Sequence, residues 1–115
     1  MIYIIEDDEL MAECVAKSCG EQETKIFSNA YDAINSLSDG LPDLIFLDIL
    51  LSGPDGFTLL HELASYTDTG KIPVVIVSSL DFSGKDLSIY GVVGAINKDS
   101  MTPKEVKKYV ERYTN

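Results

Sequence analysis

The 115-residue sequence predicts an α/β fold, a doubly wound five-stranded parallel sheet with helices on both faces. Five short apolar runs alternate with longer segments of helical period, and the runs cover residues 2–5, 25–27, 44–47, 74–77 and 92–96. Strands that are buried on both faces are apolar throughout, as these are. The length, with 45% hydrophobic and 24% charged residues, indicates one globular domain over residues 1–115.

The first two helices follow the first two strands. The first is predicted from about residue 8 to 19 and ends at Gly20, with one face made of Leu10, Met11, Cys14, Val15 and Cys19. The second begins near Ser28 or Asn29 and ends at Asp39 and Gly40. Its buried stripe consists of Ala30, Ala33, Ile34 and Leu37.

The remaining helices differ in how strongly the sequence specifies them. A turn-rich loop at residues 52–56 precedes a third helix that carries Phe57, Leu60, Leu63 and Ala64, and whose lone His61 is expected at the surface or half-buried. Residues 82–90 contain Gly84 and predict only a short or mobile helical segment. Thr102, Pro103 and Glu105 predict the start of the last helix through a capping box.

The charge balance excludes some classes of partner. The formal net charge of -10 repels phosphate backbones and anionic lipids, which predicts no direct nucleic-acid binding and no membrane association. The first apolar run stops at Glu6, far short of the ~20 residues of a membrane span, and we expect a cytoplasmic protein. Cys14 and Cys19 lie five apart in a helix and are expected to be reduced, with Cys14 filling the core.

Polar residues follow four of the predicted strands. They are Glu6, Asp7 and Asp8 after the first, Asp48 after the third, Ser78 and Ser79 after the fourth, and Lys98 after the fifth. Because parallel strands end at one edge of a sheet, these side chains converge where such sheets bind ligands. Each residue alone has a simpler explanation, for example Asp8 as a helix N-cap or Lys98 as a surface lysine. Their combination rarely arises from solubility alone.

Several carboxylates at one edge repel each other unless a cation neutralises them. A hard cation with oxygen ligands is therefore expected here. Mg²⁺ fits best, because it accepts a few carboxylates plus waters and accompanies transferred phosphoryl groups.

Over essentially its whole length the chain resembles the receiver domains of two-component response regulators. The motifs that carry the resemblance are residues 4–8 (IIEDD), 47–51 (LDILL) with 53–57 (GPDGF), 73–78 (PVVIVS) and the stretch from Gly91 to Asn97, Lys98 and Asp99. The resemblance implies a flavodoxin-like sheet of strand order 2-1-3-4-5, with its switch point between strands one and three.

The resemblance also implies a role for each matching residue. Asp48 attacks a phosphohistidine or a small phosphodonor and becomes an aspartyl phosphate. Mg²⁺ is bound by Asp7 directly, by Glu6 through water, by Asp48 and by the backbone carbonyl of Leu50. Lys98 balances the carboxylate and then binds a phosphoryl oxygen, and the Ser78 hydroxyl responds to the phosphoryl group.

The partners implied are a histidine kinase or histidine phosphotransfer protein as donor and an output domain or partner protein as receiver of the signal. The resemblance also allows a homodimer. The domain is implied to be a switch more than an enzyme, although it assists its own phosphorylation and slow hydrolysis.

Three alternatives stay open at the level of sequence. The acid pair is Glu6 with Asp7, as the family pattern favours, or Asp7 with Asp8. A phosphorylation-independent pseudo-receiver is favoured by two departures from the family, Ala95 where an aromatic is usual and Asp99 where proline is usual. A metal-dependent phosphatase would need a second acid two residues after its nucleophile, where this chain has Leu50.

Overall fold

The computed structural model describes residues 1–50, 56–82 and 84–114. The strands are β1 (Ile2–Ile5), β2 (Thr24–Phe27), β3 (Leu44–Leu47), β4 (Val74–Ser78) and β5 (Val92–Asn97). The helices are α1 (Glu9–Ser18), α2 (Ala30–Ser36), α3 (Gly56–Ala64) and α4 (Pro103–Tyr113). The predicted loop at residues 52–56 includes Ser52, where proline is common in the family that the chain resembles. Except for Gly56, this loop lies outside the described residues.

All five strands are parallel and form one sheet in the order β2-β1-β3-β4-β5, which confirms the predicted fold. The register aligns the ends of the central strands, since Ile5 pairs with both Phe27 and Leu47. Every residue of β1, β3 and β4 is buried. Helices cover both faces, which is why these strands lack the alternation of a half-exposed sheet.

The sheet separates two hydrophobic cores. On one face α2 and α3 pack on alternate strand residues, among them Ile5, Leu47 and Ile76. On the other face α1 and α4 pack on the residues between, among them Ile4, Phe46 and Val77. Neighbouring residues of one strand therefore belong to different cores, as the two-residue period of a strand requires.

The prediction for the buried face of α1 was partly wrong. Cys14 is exposed and Cys19 is buried, so Cys19 is the cysteine that fills the core. Leu10 is also exposed, and the buried stripe is instead Ala12, Val15, Ser18 and Cys19. Small side chains let the helix lie close to the sheet, and the Ser18 hydroxyl can be buried because it donates to the Cys14 carbonyl at 2.9 Å.

The weakest predicted helix is a single 3-10 turn, Ser88–Tyr90, which confirms that this segment is short. The strongest predicted boundary is also confirmed. Thr102 caps α4, with reciprocal hydrogen bonds between Thr102 and Glu105 and with Pro103 in the first turn. α2 ends earlier than predicted, and a 3-10 turn, Leu37–Asp39, completes the distance to Gly40.

His61 is exposed, but its ring packs edge-on against Tyr90 with centroids 4.9 Å apart. This contact joins α3 to the segment before β5, a pairing that residues 29 positions apart do not reveal in sequence. Over the part of the chain described here, no helix has both the length and the apolar character needed to cross a bilayer.

Candidate functional site

Two buried carboxylates lie side by side at the carboxyl edge of the sheet. Glu6 directly follows β1 and Asp48 directly follows β3, and both remain tied to the backbone ladder. The Glu6 amide donates to the Phe27 carbonyl and the Asp48 amide to the Ile5 carbonyl, each at 2.9 Å. Glu6 is 4% exposed and Asp48 is 5% exposed. Since charged residues are rarely buried unless paired, these two need a cationic partner.

Lys98 supplies that positive charge. Its Nζ lies 2.6 Å from Oε1 of Glu6 and 3.3 Å from Oδ2 of Asp48. The backbone holds this lysine in place, because its amide donates to the Ser78 carbonyl at 3.0 Å, just past the end of β5. The predicted convergence of residues from strands one, three, four and five is thus present in the structure.

Burial and charge shift two pKa values at this site. Burial, together with the hydrogen bond and negative charge of Asp48, raises the pKa of Glu6 to about 7 against the opposing effect of Lys98. For Lys98, burial lowers the pKa, but the hydrogen bonds and charges of Glu6 and Asp48 outweigh burial and hold it above its usual value. The site therefore contains the Glu6 carboxyl, which titrates near neutral pH, next to the Lys98 ammonium, which stays charged.

The third carboxylate of the site is Asp7. One carboxylate oxygen from each of Glu6, Asp7 and Asp48 lies within 4.8 Å of the other two. Oε1 of Glu6 is buried and is paired with the Lys98 ammonium at 2.6 Å. An all-oxygen, anionic donor set of this kind suits a hard divalent cation such as Mg²⁺.

Asp8 points elsewhere. Its Oδ1 accepts hydrogen bonds from the amides of Leu10 and Met11, at 3.0 and 3.2 Å, and so caps the start of α1. Its own amide donates to Oε2 of Glu6 at 3.3 Å. Of the three consecutive acids, Glu6 and Asp7 lie in the cluster with Asp48, whereas Asp8 is the N-cap of α1.

The Ser78 hydroxyl and two backbone amides complete the carboxyl edge of the sheet. Ser78 is 1% exposed, and its Oγ accepts a hydrogen bond from the Leu80 amide at 3.1 Å. Oδ1 of Asp48 accepts from the Leu50 amide at 3.0 Å, which fixes the carboxylate and the start of the following loop together. The side chains of Leu50 and Leu80 are 55% and 50% exposed.

Sequence reasoning missed the part played by Gly56. A Cβ at this position would lie 2.6 Å from the Cα of Ile49 and 2.9 Å from the carbonyl oxygen of Asp48. Its amide also donates to the Ile49 carbonyl at 3.0 Å. Glycine therefore allows the start of α3 to pack directly against the backbone of Asp48. The glycine in a turn-rich stretch was visible, but the neighbour it contacts was not.

A family model for the response regulator receiver domain matches residues 2–111. Among solved structures, the receiver domain of NtrX from Brucella abortus is similar, with a TM-score of 0.84 and 27% sequence identity. The match covers 98% of this chain and 97% of that one.

Two curated relatives are longer proteins. The response regulator PleD of Caulobacter vibrioides is 46% identical over 44 residues, which is 38% of this chain and 10% of PleD. A protein-glutamate methylesterase/protein-glutamine glutaminase of Chromobacterium violaceum is 27% identical over 115 residues, 96% of this chain and 32% of that protein. The chain thus spans a third or less of the length of these relatives.

Proposed function

The chain belongs to the response regulator receiver domains of two-component systems, and from this membership we propose that it is a phosphorylation-operated switch whose acceptor is Asp48. The observation that carries the proposal is the position of Asp48. It is a buried carboxylate at a strand end, 3.3 Å from the Lys98 ammonium and clustered with Glu6 and Asp7. Such a carboxylate is held in place and charge-balanced, as a nucleophile must be.

In the proposed reaction, a carboxylate oxygen of Asp48 attacks the phosphorus of a phosphohistidine. A P–O bond forms, the P–N bond breaks, and its electron pair stays on the departing imidazole nitrogen. The donor is a histidine kinase or a histidine phosphotransfer protein, as membership of the receiver family implies.

Glu6, Asp7, Asp48 and the Leu50 carbonyl are the groups that we propose would hold Mg²⁺. The bound ion supplies neutralisation of the negative charge on the phosphoryl oxygens. Asp48 already accepts the Leu50 amide, so the loop that carries the Leu50 carbonyl is tied to the acceptor. The carboxylate oxygens of Glu6, Asp7 and Asp48 that lie within 4.8 Å of one another support a cation at this position, because like charges this close repel unless a cation neutralises them.

Lys98 and Ser78 are the proposed sensors of the new phosphoryl group. Lys98 contacts Asp48 and would pair with a phosphoryl oxygen. The Ser78 hydroxyl now accepts the Leu80 amide, and donating to the phosphoryl group would draw the loop after β4 inward. The change passes to an output domain or partner protein, and we place the whole exchange in the cytoplasm.

The pseudo-receiver remains the competing function, because β5 carries Ala95 and Lys98 is followed by Asp99. Neither departure removes a residue of the acid cluster or the lysine. We therefore favour phosphorylation over a partner-binding role without it.

The test is phosphorylation by acetyl phosphate with Mg²⁺, followed by intact-mass measurement. The wild type should gain the mass of one phosphoryl group, Asp48→Asn should gain none, and Asp7→Asn should gain none at the same Mg²⁺ concentration. Glu13→Gln, an exposed acid on α1, is the matched control and should behave as the wild type. A wild type that never gains mass, or an equal gain in Asp48→Asn, contradicts the proposal.

A further inference from the structure

The turn that carries Lys98 is closed by Asn97, the last residue of β5. Oδ1 of Asn97 accepts a hydrogen bond from the Asp99 amide at 2.8 Å, and the Asn97 carbonyl accepts from the Ser100 amide at 3.3 Å. Asparagine is favoured at the first position of such a turn, because its short side chain can accept the amide two residues on. Lys98 is therefore enclosed by two hydrogen-bonded rings that both begin at Asn97.

A third hydrogen bond fixes the other side of Lys98. Its amide donates to the Ser78 carbonyl at 3.0 Å, which continues the pairing of β4 with β5 past Asn97. The strand therefore determines where the Cα of Lys98 lies, and the turn determines the direction in which the chain leaves it. Together they fix the point from which a long, flexible side chain starts.

This starting point matters because the Lys98 ammonium contacts two carboxylates at once. Nζ lies 2.6 Å from Oε1 of Glu6 and 3.3 Å from Oδ2 of Asp48. Both acids are themselves fixed, since their amides are bonded to the carbonyls of Phe27 and Ile5. A change in backbone direction at Lys98 would therefore move Nζ away from at least one of the two carboxylates.

The hydrogen bond of the Asn97 side chain depends on the residue at position 99. Asp99 has a backbone amide, and this amide is the group that Asn97 accepts. Proline at position 99 would have no amide to donate. Asp99 is exposed, so the turn uses the backbone of this residue. Asn97 and Asp99 thus form an acceptor and donor pair on the two sides of Lys98.

We propose that Asn97 is a positioning residue for Lys98, which orients the ammonium toward Asp48 and toward a phosphoryl group on Asp48 by holding the turn at residues 97–100. The part that concerns the phosphoryl group rests on the proposed function, whereas the contact between Lys98 and Asp48 exists without it. A turn that only stabilised the loop would change the free energy of unfolding and leave the Lys98 ammonium where it is.

The experiment compares Asn97→Ala and Asn97→Asp with the wild-type domain. The NMR signal of the Lys98 ammonium, assigned by its loss in Lys98→Arg, reports the position of the side chain. The affinity for beryllofluoride, a phosphoryl analogue, is measured at saturating Mg²⁺, and the affinity for Mg²⁺ is measured alone. Asn29→Ala is the matched control, since Oδ1 of Asn29 accepts the Asp32 amide at 2.9 Å, next to β2 at the opposite edge of the sheet.

In Asn97→Ala the Lys98 signal should move toward the signals of exposed lysines. Beryllofluoride should bind about threefold to tenfold more weakly, which is the effect of one ordinary hydrogen bond. The affinity for Mg²⁺ should not fall, because we place the ion on the three carboxylates and the Leu50 carbonyl. Asn97→Asp keeps an acceptor for the Asp99 amide and should restore the signal and the affinity, and Asn29→Ala should match the wild type in both.

An unmoved Lys98 signal or an unchanged beryllofluoride affinity in Asn97→Ala would overturn the proposal. So would a loss that Asn97→Asp does not reverse, an equal loss in Asn29→Ala, or a parallel fall in the affinity for Mg²⁺. A wild type that binds no beryllofluoride would contradict the proposed function instead, and the Lys98 signal alone would then decide whether Asn97 positions the lysine.

Discussion

The ammonium of Lys98 lies closer to Glu6 than to Asp48, at 2.6 Å against 3.3 Å. The lysine thus bridges two buried carboxylates that follow different strands. Glu6 nevertheless keeps a raised pKa of about 7, because burial is the largest influence on it. The relationship between these residues makes the site sensitive to pH.

The first prediction concerns stability without metal. In the unfolded chain Glu6 titrates near 4.5, and in the folded chain near 7. Between these values the unfolded state releases a proton that the folded state retains, so the contribution of Glu6 to stability is full below pH 4.5 and is lost as pH rises to 7. Relative to wild type, Glu6→Gln should therefore gain unfolding free energy over this range. Urea unfolding in EDTA from pH 4.5 to 8 measures it, and a constant difference would contradict the prediction.

The second prediction concerns the lifetime of the phosphorylated form. Leu50 and Leu80 lie two residues after Asp48 and Ser78, and we expect these two positions to flank the path of the attacking water. Both side chains are apolar. They cannot orient that water by hydrogen bonding, so hydrolysis should be slow. Leu50→Asn with Leu80→Asn should shorten the lifetime by a few-fold to about tenfold, the effect of one ordinary hydrogen bond. Decay of the phosphorylated mass over time gives the rate.

Leu41→Asn is the control for this comparison, since Leu41 is an exposed leucine at 43% that lies between Gly40 and Pro42 before β3. It should not change the decay. A short wild-type lifetime that the paired asparagines leave unaltered would refute the role given to Leu50 and Leu80.

The third prediction concerns the readout of phosphorylation. Ala95 is too small to act as the aromatic that usually changes position in the family, whereas Phe82 and Tyr90 pack on the core from the segment before β5. The activated and resting states should therefore differ mainly by displacement of residues 80–90. Hydrogen exchange with and without beryllofluoride should show its largest change there. Protection limited to the loop around Asp48 would contradict this.

The fourth prediction tests the close packing of α3 on the acceptor. Gly56→Ala should destabilise the fold by about 1–3 kcal/mol, because the new methyl group overlaps the backbone of Ile49 and Asp48. Phosphorylation should slow as well. Gly84→Ala is the matched control, since a Cβ there meets nothing within 4 Å. Equal stability of the two variants in urea unfolding would show that the contact with Asp48 is not limiting.

The sequence predicted the sheet and the residues at its edge because both follow from strong local signals. Apolar runs identify the strands, and the parallel topology then determines that Glu6, Asp48, Ser78 and Lys98 meet. The buried side of α1 was predicted wrongly in part. Leu10 and Cys14 have the spacing of one helix face, but that face lies beside the buried face that contains Val15 and Cys19. The capping role of Asp8 was one of two alternatives that local spacing allowed.

What the sequence could not predict depends on contacts between distant elements. The exposed His61 gave no sign that its ring would meet Tyr90, and Gly56 gave no sign of the carbonyl it lies against. A groove of about 420 Å³ lies beside β5, where Ala95 has a small side chain and the described residues of the preceding segment form the 3-10 turn Ser88–Tyr90. Sequence reasoning located both departures but not the space that they leave together.

The bridge made by Lys98 also bears on the order in which this protein matures. Its ammonium partly neutralises Glu6 and Asp48 in the chain itself, and its amide is already bonded to Ser78. We therefore expect the newly made chain to reach its final shape before it meets any divalent ion. A change in Mg²⁺ should then act mainly on the readiness of the domain to accept a phosphoryl group, with only a smaller effect on its stability through binding to the folded state.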